Sequence, residues 1–393
     1  MAPATVSDQP QVNPQGSPAA VSHPPAGERL MSLDVFRGMT IAGMILVNNP
    51  GTWAAIYPPL AHAEWHGWTH TDLIFPFFLF IAGVSMAFSF AAREKSGATK
   101  NDLLRHTLRR AGIIFLIGFL LAITPYFNFG AVRIMGVLQR IAVCYAVGGL
   151  IYLYTSKKQR AGIIAAALVG YWAMMTFISV PGYGAGNLTP DGNLAAYIDR
   201  ALMAGHLWKP MWDPEGLLST IPAICTTLIG TFVGEWMMLK TTWQNKVKVL
   251  AIGGLVAMVI GTALHELFPI NKGLWTSSYV VFTAGYAMVV LAACYWLIDV
   301  KKWRAWSTPF LVFGMNAILL FTASGWLSKN MGIFRVELPS GRMGGVNAWI
   351  YQTIFVPLAS DPRNSSLAFA VAYVLFWLGI AWWLYQRKIF VKV

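Results

Sequence analysis

The residues best suited to chemistry are crowded into one short run, Pro58-Pro59-Leu60-Ala61-His62-Ala63-Glu64-Trp65-His66-Gly67-Trp68-Thr69-His70-Thr71-Asp72. It holds three of the chain's seven histidines. Their i, i+4, i+8 spacing would align them on a continuous helix and invites a zinc reading. Gly67 interrupts such a helix, no thiol lies near, and neither zinc-hydrolase spacing is present, so the expectation is no metal. A neutral imidazole that takes a proton from a nucleophile near neutral pH fits better. The plain alternative is a set of polar residues in a wet loop. Asp72, at the end of the run, can orient an imidazole and stabilise its protonated form, or cap the helix that follows. Asn48 and Asn49, shortly before the run, can donate to an oxyanion or close a helix end.

Two more polar boxes stand out, Trp212-Asp213-Pro214-Glu215-Gly216 and Pro269-Ile270-Asn271-Lys272-Gly273-Leu274-Trp275-Thr276. Carboxylate, amide, ammonium and indole groups gathered in one cleft are what a sugar site uses, because hydroxyls need hydrogen bonds and ring faces stack on aromatics. Each box is also a plausible turn with an indole anchor. Arg37 lies one helical turn from Asp34, its possible i,i+3 partner. Arg140 lies two turns into an apolar run and cannot easily snorkel, so it should face a polar cavity or a carboxylate, or else form a buried structural ion pair.

The elements that position these residues follow from composition. Hydrophobic residues make up 56% of the 393 residues and charged ones only 11%, and the charges cluster between long apolar runs. A soluble core could not hide that much apolar surface, so the bilayer is the expected solvent. Candidate spans run from about 35 to 49, 73 to 92, 108 to 124, 134 to 154, 161 to 179, 216 to 238, 249 to 265, 277 to 298, 308 to 326 and 367 to 386, an all-α polytopic fold of about ten transmembrane helices. Residues 346 to 358 are too short and contain Pro357, and read as an interfacial or re-entrant piece. The net charge of +13 is spread through alternate loops rather than gathered on one face, which argues against a nucleic-acid partner. Its bias places both chain ends in the cytoplasm of an inner membrane and the histidine run on the outer side. Cys144, Cys225 and Cys294 sit in different apolar runs and read as small buried hydrophobes. Residues 1 to 28, rich in Pro, Ala and Ser, read as a disordered cytoplasmic tail ahead of a single membrane domain over 29 to 393.

Taken in order, Arg29 to Gly38, the run from His62 to Gly67 and on through Asp72-Leu73-Ile74-Phe75-Pro76, Gly136-Val137-Leu138-Gln139-Arg140, Asp213-Pro214-Glu215-Gly216 and Asn271-Lys272-Gly273-Leu274-Trp275 resemble the heparan-α-glucosaminide N-acetyltransferase family. Any one box is weak, but five in register are specific. The resemblance implies transfer of an acetyl group from acetyl-CoA to the amine of a terminal glucosamine, with bacterial relatives in amino-sugar catabolism. It makes His62 the catalytic histidine and Asn48 a neighbouring functional asparagine. The long luminal domain that precedes the membrane region in the lysosomal protein has no counterpart here, which favours glucosamine or a short amino sugar as acceptor.

The expected assignments follow. His62 acts as base or acyl carrier, Asp72 orients its ring, and Asn48 stabilises the oxyanion. The CoA phosphates fall to Arg105, Arg109 and Arg110 at the cytoplasmic side, with Arg37, Gln139 and Arg140 next in line. Glu64, Trp65, Asp213, Glu215, Asn271, Lys272 and Trp275 contact the sugar. The expected partners are the donor, the sugar and the lipid bilayer, with room for a homodimer. The rival is a secondary transporter of a sugar or other small molecule, which would need polar residues at mid-depth in several spans and usually repeat symmetry. Neither is visible in the sequence.

Overall fold

The computed structural model describes residues 30–391, so the tail expected over residues 1 to 28 lies outside the described residues. A helix forms at every expected span: α1 (Met31–Asn48), α2 (His70–Lys95), α3 (Lys100–Ile123), α4 (Val137–Tyr154) and α5 (Lys157–Phe177). After the short α6 (Leu194–Met203) come α7 (Thr220–Met238), α8 (Trp243–Ala263), α9 (Ser277–Cys294), α10 (Thr308–Met315) and α11 (Ala317–Met331). A small hairpin of β1 (Arg335–Glu337) and β2 (Met343–Gly345) leads to α12 (Val346–Ile350) and finally α13 (Pro362–Gln386). The chain is an all-α polytopic membrane protein.

Among the described residues, eight helices are long and apolar enough to cross a bilayer. The remaining two expected spans depart from that pattern for visible reasons. The first is α1, whose apolar run is shortened by Asp34 and Arg37 in its opening turns. The other, read as one straight helix over 308 to 326, is the pair α10 and α11, bent by 75°. The break falls at Asn316, whose side chain is tied to the end of the chain: its Nδ2 donates to the Ile389 carbonyl at 3.0 Å and its Oδ1 accepts from the Val391 amide at 2.8 Å. Residues 346 to 358, read as an interfacial or re-entrant piece, begin as α12 and continue through a π-helical turn and a 3₁₀ turn to Leu358.

Lipid offers no hydrophobic drive between helices, so close packing depends on small residues. Where α2 crosses α7, a Cβ on Gly83 would stand 1.9 Å from the Thr227 carbonyl oxygen, and one on Gly230 would stand 2.2 Å from that of Phe80. Polar caps fix the starts: Thr99 binds Asp102 at α3, and Ser156 binds Gln159 at α5. The three cysteines are buried in the bundle.

The alternation of direction along the chain has one consequence for function. The C-terminal end of α1 and the N-terminal ends of α2, α4, α7 and α9 meet at the same end of the bundle. The histidine run and both polar boxes lie there.

Candidate active site

The segment after α1 ends in a short turn at Pro58–Leu60 and then runs without helix to α2. Gly67 holds a φ of +95°, and its amide donates to the Ile270 carbonyl at 2.7 Å. This pins the histidine run against the loop before α9 and sends its imidazoles in different directions. His66 faces the Asn271 amide at 3.3 Å, and its pKa is lowered by burial and by His265. His70 packs against Trp68. His62 turns inward toward Asp72.

Asp72 does two things at once. Its Oδ2 accepts from the amides of Ala63 at 3.0 Å and Thr69 at 3.1 Å, closing the first turn of α2 and fixing the backbone beside His62. Its Oδ1 lies 2.6 Å from His62 Nδ1. A carboxylate can only accept here, so Nδ1 carries the proton and the Nε2 lone pair is left for chemistry. The Asp72 side chain is 2% exposed and that of His62 46% exposed, so the pair joins a buried anchor to an accessible base. Tyr279 Oη donates to the Asp72 carbonyl at 2.5 Å and steadies the same turn.

Lys272 completes the cluster. Its Nζ lies 3.1 Å from His62 Nδ1, 3.5 Å from Nε2 and 3.5 Å from Asp72 Oδ1. Burial lowers its pKa, and Asp72 and Glu215 oppose that shift.

These groups line a cavity of about 570 Å³, together with Asn48, Glu64, Trp65, Arg133 and Glu215. Its walls are rich in indole: Trp65 and Trp212 meet edge to face at 5.0 Å, and Trp53 and Trp208 are largely exposed. Arg133 binds both Asp213 and Glu215, and its guanidinium lies 5.1 Å from the Trp208 ring centroid. Burial weakens the charge on Arg133, but Glu215 and Asp213 outweigh it and raise its pKa. A second space of about 260 Å³ lies on the far side of the α1 end, between α1 and α11, and shares Met44 and Asn48 with the first.

The expected site residues therefore divide by position. His62, Asn48, Asp72, Glu64, Trp65, Glu215 and Lys272 reach the cavity. Asp213, Asn271 and Trp275 are buried behind its wall. Asp213 accepts from Arg133, from the Trp208 amide and from the Glu215 amide. Asn271 accepts from the Leu274 amide, and Trp275 donates to Thr226. Asn49, unlike Asn48, is buried and donates to the Ile45 carbonyl.

The expected donor residues lie apart from the cavity. Arg37 binds Asp34 and Ser85. Gln139 is buried, with its Oε1 filling space next to Gly118 and Gly136. Arg140 is fully buried and, among the described residues, lines neither of the two spaces above and pairs with no carboxylate; it donates to the Gly216 carbonyl and to Ser219 and lies 5.2 Å from the Trp275 centroid. Arg105 and Arg109 are exposed near the start of α3, and Arg110 donates to Tyr145. That start follows the far end of α2, roughly 35 Å along the helix from Asp72.

Trp53, Arg133, Trp208 and Lys209 line the cavity and were not expected there. The available signal was the run Trp208-Lys209-Pro210-Met211-Trp212, which places cation and indole immediately before the Asp213 box.

A family model described as heparan-alpha-glucosaminide N-acetyltransferase, catalytic, matches residues 29–269. That span holds His62, Asp72, Arg133, Asp213 and Glu215. The human heparan-alpha-glucosaminide N-acetyltransferase is 28% identical over an alignment covering 93% of this chain and 60% of that protein. The mouse protein of the same name is 27% identical, over 94% of this chain and 61% of its own. The chain thus spans about three fifths of the length of these curated relatives. By the extent of the family match, the chain belongs to the heparan-alpha-glucosaminide N-acetyltransferase family.

Proposed function

We propose that this chain is a transmembrane N-acetyltransferase that moves an acetyl group from acetyl-CoA to the amine of glucosamine or a short amino sugar. The observation that carries the reading is the His62 imidazole, anchored by buried Asp72 and open to a cavity walled by indoles. The relatives' names supply the reaction class. The indoles and the Glu215 and Glu64 carboxylates suit a sugar ring with a cationic amine.

In this mechanism His62 Nε2 takes a proton from the acceptor amine as nitrogen attacks the thioester carbonyl. Asp72 stabilises the imidazolium that results. Asn48, at the junction of the two spaces, donates to the tetrahedral oxyanion, and collapse expels the thiolate, which takes the proton back from His62. Attack by His62 itself, to give an acetyl-imidazole that the amine then opens, is the covalent variant. The space past Asn48, between α1 and α11, has room for the donor's acyl arm. Exposed Arg105 and Arg109 are the cations offered to its phosphates.

The proposed setting is a bacterial inner membrane with both chain ends in the cytoplasm and the cavity facing out. A cysteine placed in the loop from 93 to 107 should label only from the cytoplasmic side, and one between 180 and 210 only from outside. The native cysteines are buried and give little background. Reversal of either pattern overturns the orientation.

The function is tested by incubating the purified protein with acetyl-CoA and following free thiol. Release should depend on glucosamine and yield N-acetylglucosamine. Thiol release indifferent to the amine would overturn the acceptor assignment.

A further inference from the structure

The base that the acceptor must approach already has an amine beside it. Lys272 Nζ lies 3.5 Å from His62 Nε2, the nitrogen left free by the Asp72 bond, and Lys272 lines the same cavity. The only other lysine on the cavity wall among the described residues is Lys209, whose exposed ammonium sits 5.4 Å over the Trp212 ring. Lys272 is part of a loop held on both sides: Asn271 bonds His66 and the Leu274 amide, and Gly67 bonds Ile270. Its amine is therefore held near the reacting position, which supplies the proximity that makes an intramolecular step fast.

We propose that Lys272 is a resident acceptor, acylated on Nζ by the thioester donor when no amino sugar occupies the cavity. This inference rests on the acyl-transfer reading above. The step uses the same chemistry as the main reaction. The neutral amine attacks the thioester carbonyl carbon, a nitrogen–carbon bond forms, and His62 Nε2 receives the amine proton. The carbon–sulfur bond then breaks, and the departing thiolate takes that proton from His62. The products are an amide on Lys272 and a free thiol, with no further reactant.

Two features set the rate. Burial lowers the Lys272 pKa and raises its neutral fraction above that of an exposed lysine. Asp72 at 3.5 Å and Glu215 favour the ammonium and oppose this, while the Arg140 charge adds to it. The balance makes self-acylation slow beside transfer to a free amino sugar, and faster as pH rises. Once formed, the amide removes the cation beside His62 and fills the acceptor's place, so an idle site is silenced.

The test incubates the full chain with acetyl-CoA, with and without glucosamine, followed by intact mass measurement and peptide mapping. Without glucosamine, one acetyl mass should appear at Lys272, survive hydroxylamine, and be suppressed by added glucosamine. Lys272→Arg should remove it, and His62→Ala should slow its appearance at least tenfold. Lys272 left unmodified after incubation without glucosamine, in a preparation that acetylates glucosamine once it is added, overturns the inference and leaves the proposed function standing. A hydroxylamine-labile adduct on His62 in its place overturns Lys272 as the resident acceptor. Acetyl groups scattered over Lys209 and other exposed lysines, indifferent to His62→Ala, reduce the effect to solution chemistry and also overturn it. No acetylation of either amine brings down the proposed function as well.

Discussion

Two carboxylates in this molecule each hold a basic side chain, at opposite ends of the bundle, and they are built to different ends. Asp72 is 2% exposed and its partner His62 is 46% exposed, facing a cavity. At the other end, Glu235 near the end of α7 binds Arg160 at 2.8 Å, and the Arg160 side chain is 2% exposed. Its guanidinium is sealed between the rings of Tyr152 and Phe232, with centroids at 4.6 and 4.3 Å. Both pairs bury charge, but only the first leaves its base in reach of a second molecule. The second joins α5 to α7, with its guanidinium enclosed by the two rings. Buried charge alone does not mark a site; the accessibility of the partner does.

The largest expected effect comes from removing the accessible base. His62→Ala should lower acetyl transfer on the order of a hundredfold or more, with only a modest loss of thermal stability, because buried Asp72 keeps the Ala63 and Thr69 amides and Lys272 as partners. A variant that transfers acetyl at near-normal rates would erase the distinction between the two pairs. The opposite region should respond in the opposite way. Arg160→Leu leaves Glu235 with the longer contact to Lys157 at 3.4 Å and the Tyr152 hydroxyl but without its close guanidinium, and should cost about 3 kcal/mol of stability. Its transfer rate per folded molecule should match the wild type, as read by unfolding in detergent alongside the thiol assay. A loss of rate beyond the loss of folded protein would place that end in the chemistry.

A third buried carboxylate sharpens the contrast, because Asp199 has no cation within ion-pair distance among the described residues. It accepts from the Leu217 amide at 2.8 Å, yet burial pushes its pKa up from 3.8 to about 6. A folded-state pKa above the unfolded value means the folded chain holds the proton more tightly. The stability this contributes is complete below about pH 4 and is lost as pH rises through about 6. Asp199→Asn keeps the acceptor for Leu217 and removes the ionisation, so it should gain roughly 3 kcal/mol over the wild type well above pH 6 and next to nothing at pH 4. A stability difference that does not change between those pH values would show that burial does not govern this group.

The membrane fold was legible because a bilayer imposes length and polarity on each segment independently of its neighbours. The helix positions followed directly, as did the place of the histidine run at one end. The bend at Asn316 was not legible, since its cause is a contact with Ile389 and Val391 from far along the chain. Arg140 was recognisable as a costly buried cation, but its partners proved to be a carbonyl, a hydroxyl and an indole, which no local pattern announces. The polar boxes gave the chemistry of the cavity wall without its wiring. Sequence spacing could not show that Arg133 would join Asp213 to Glu215, or that Lys272 would lie against His62.

The central claim is that His62 and Asp72 act as one unit, the carboxylate working through the imidazole. Acetyl transfer to glucosamine should therefore be measured for His62→Ala, Asp72→Asn and the double variant, each normalised to folded protein. Asn at 72 still offers an oxygen to the Ala63 and Thr69 amides and so preserves the helix start. The account predicts that the double variant is no slower than His62→Ala alone, since with the imidazole gone Asp72 has nothing left to orient. Losses that multiply, with the double variant slower than His62→Ala by the full factor lost in Asp72→Asn, would show two independent roles and contradict it.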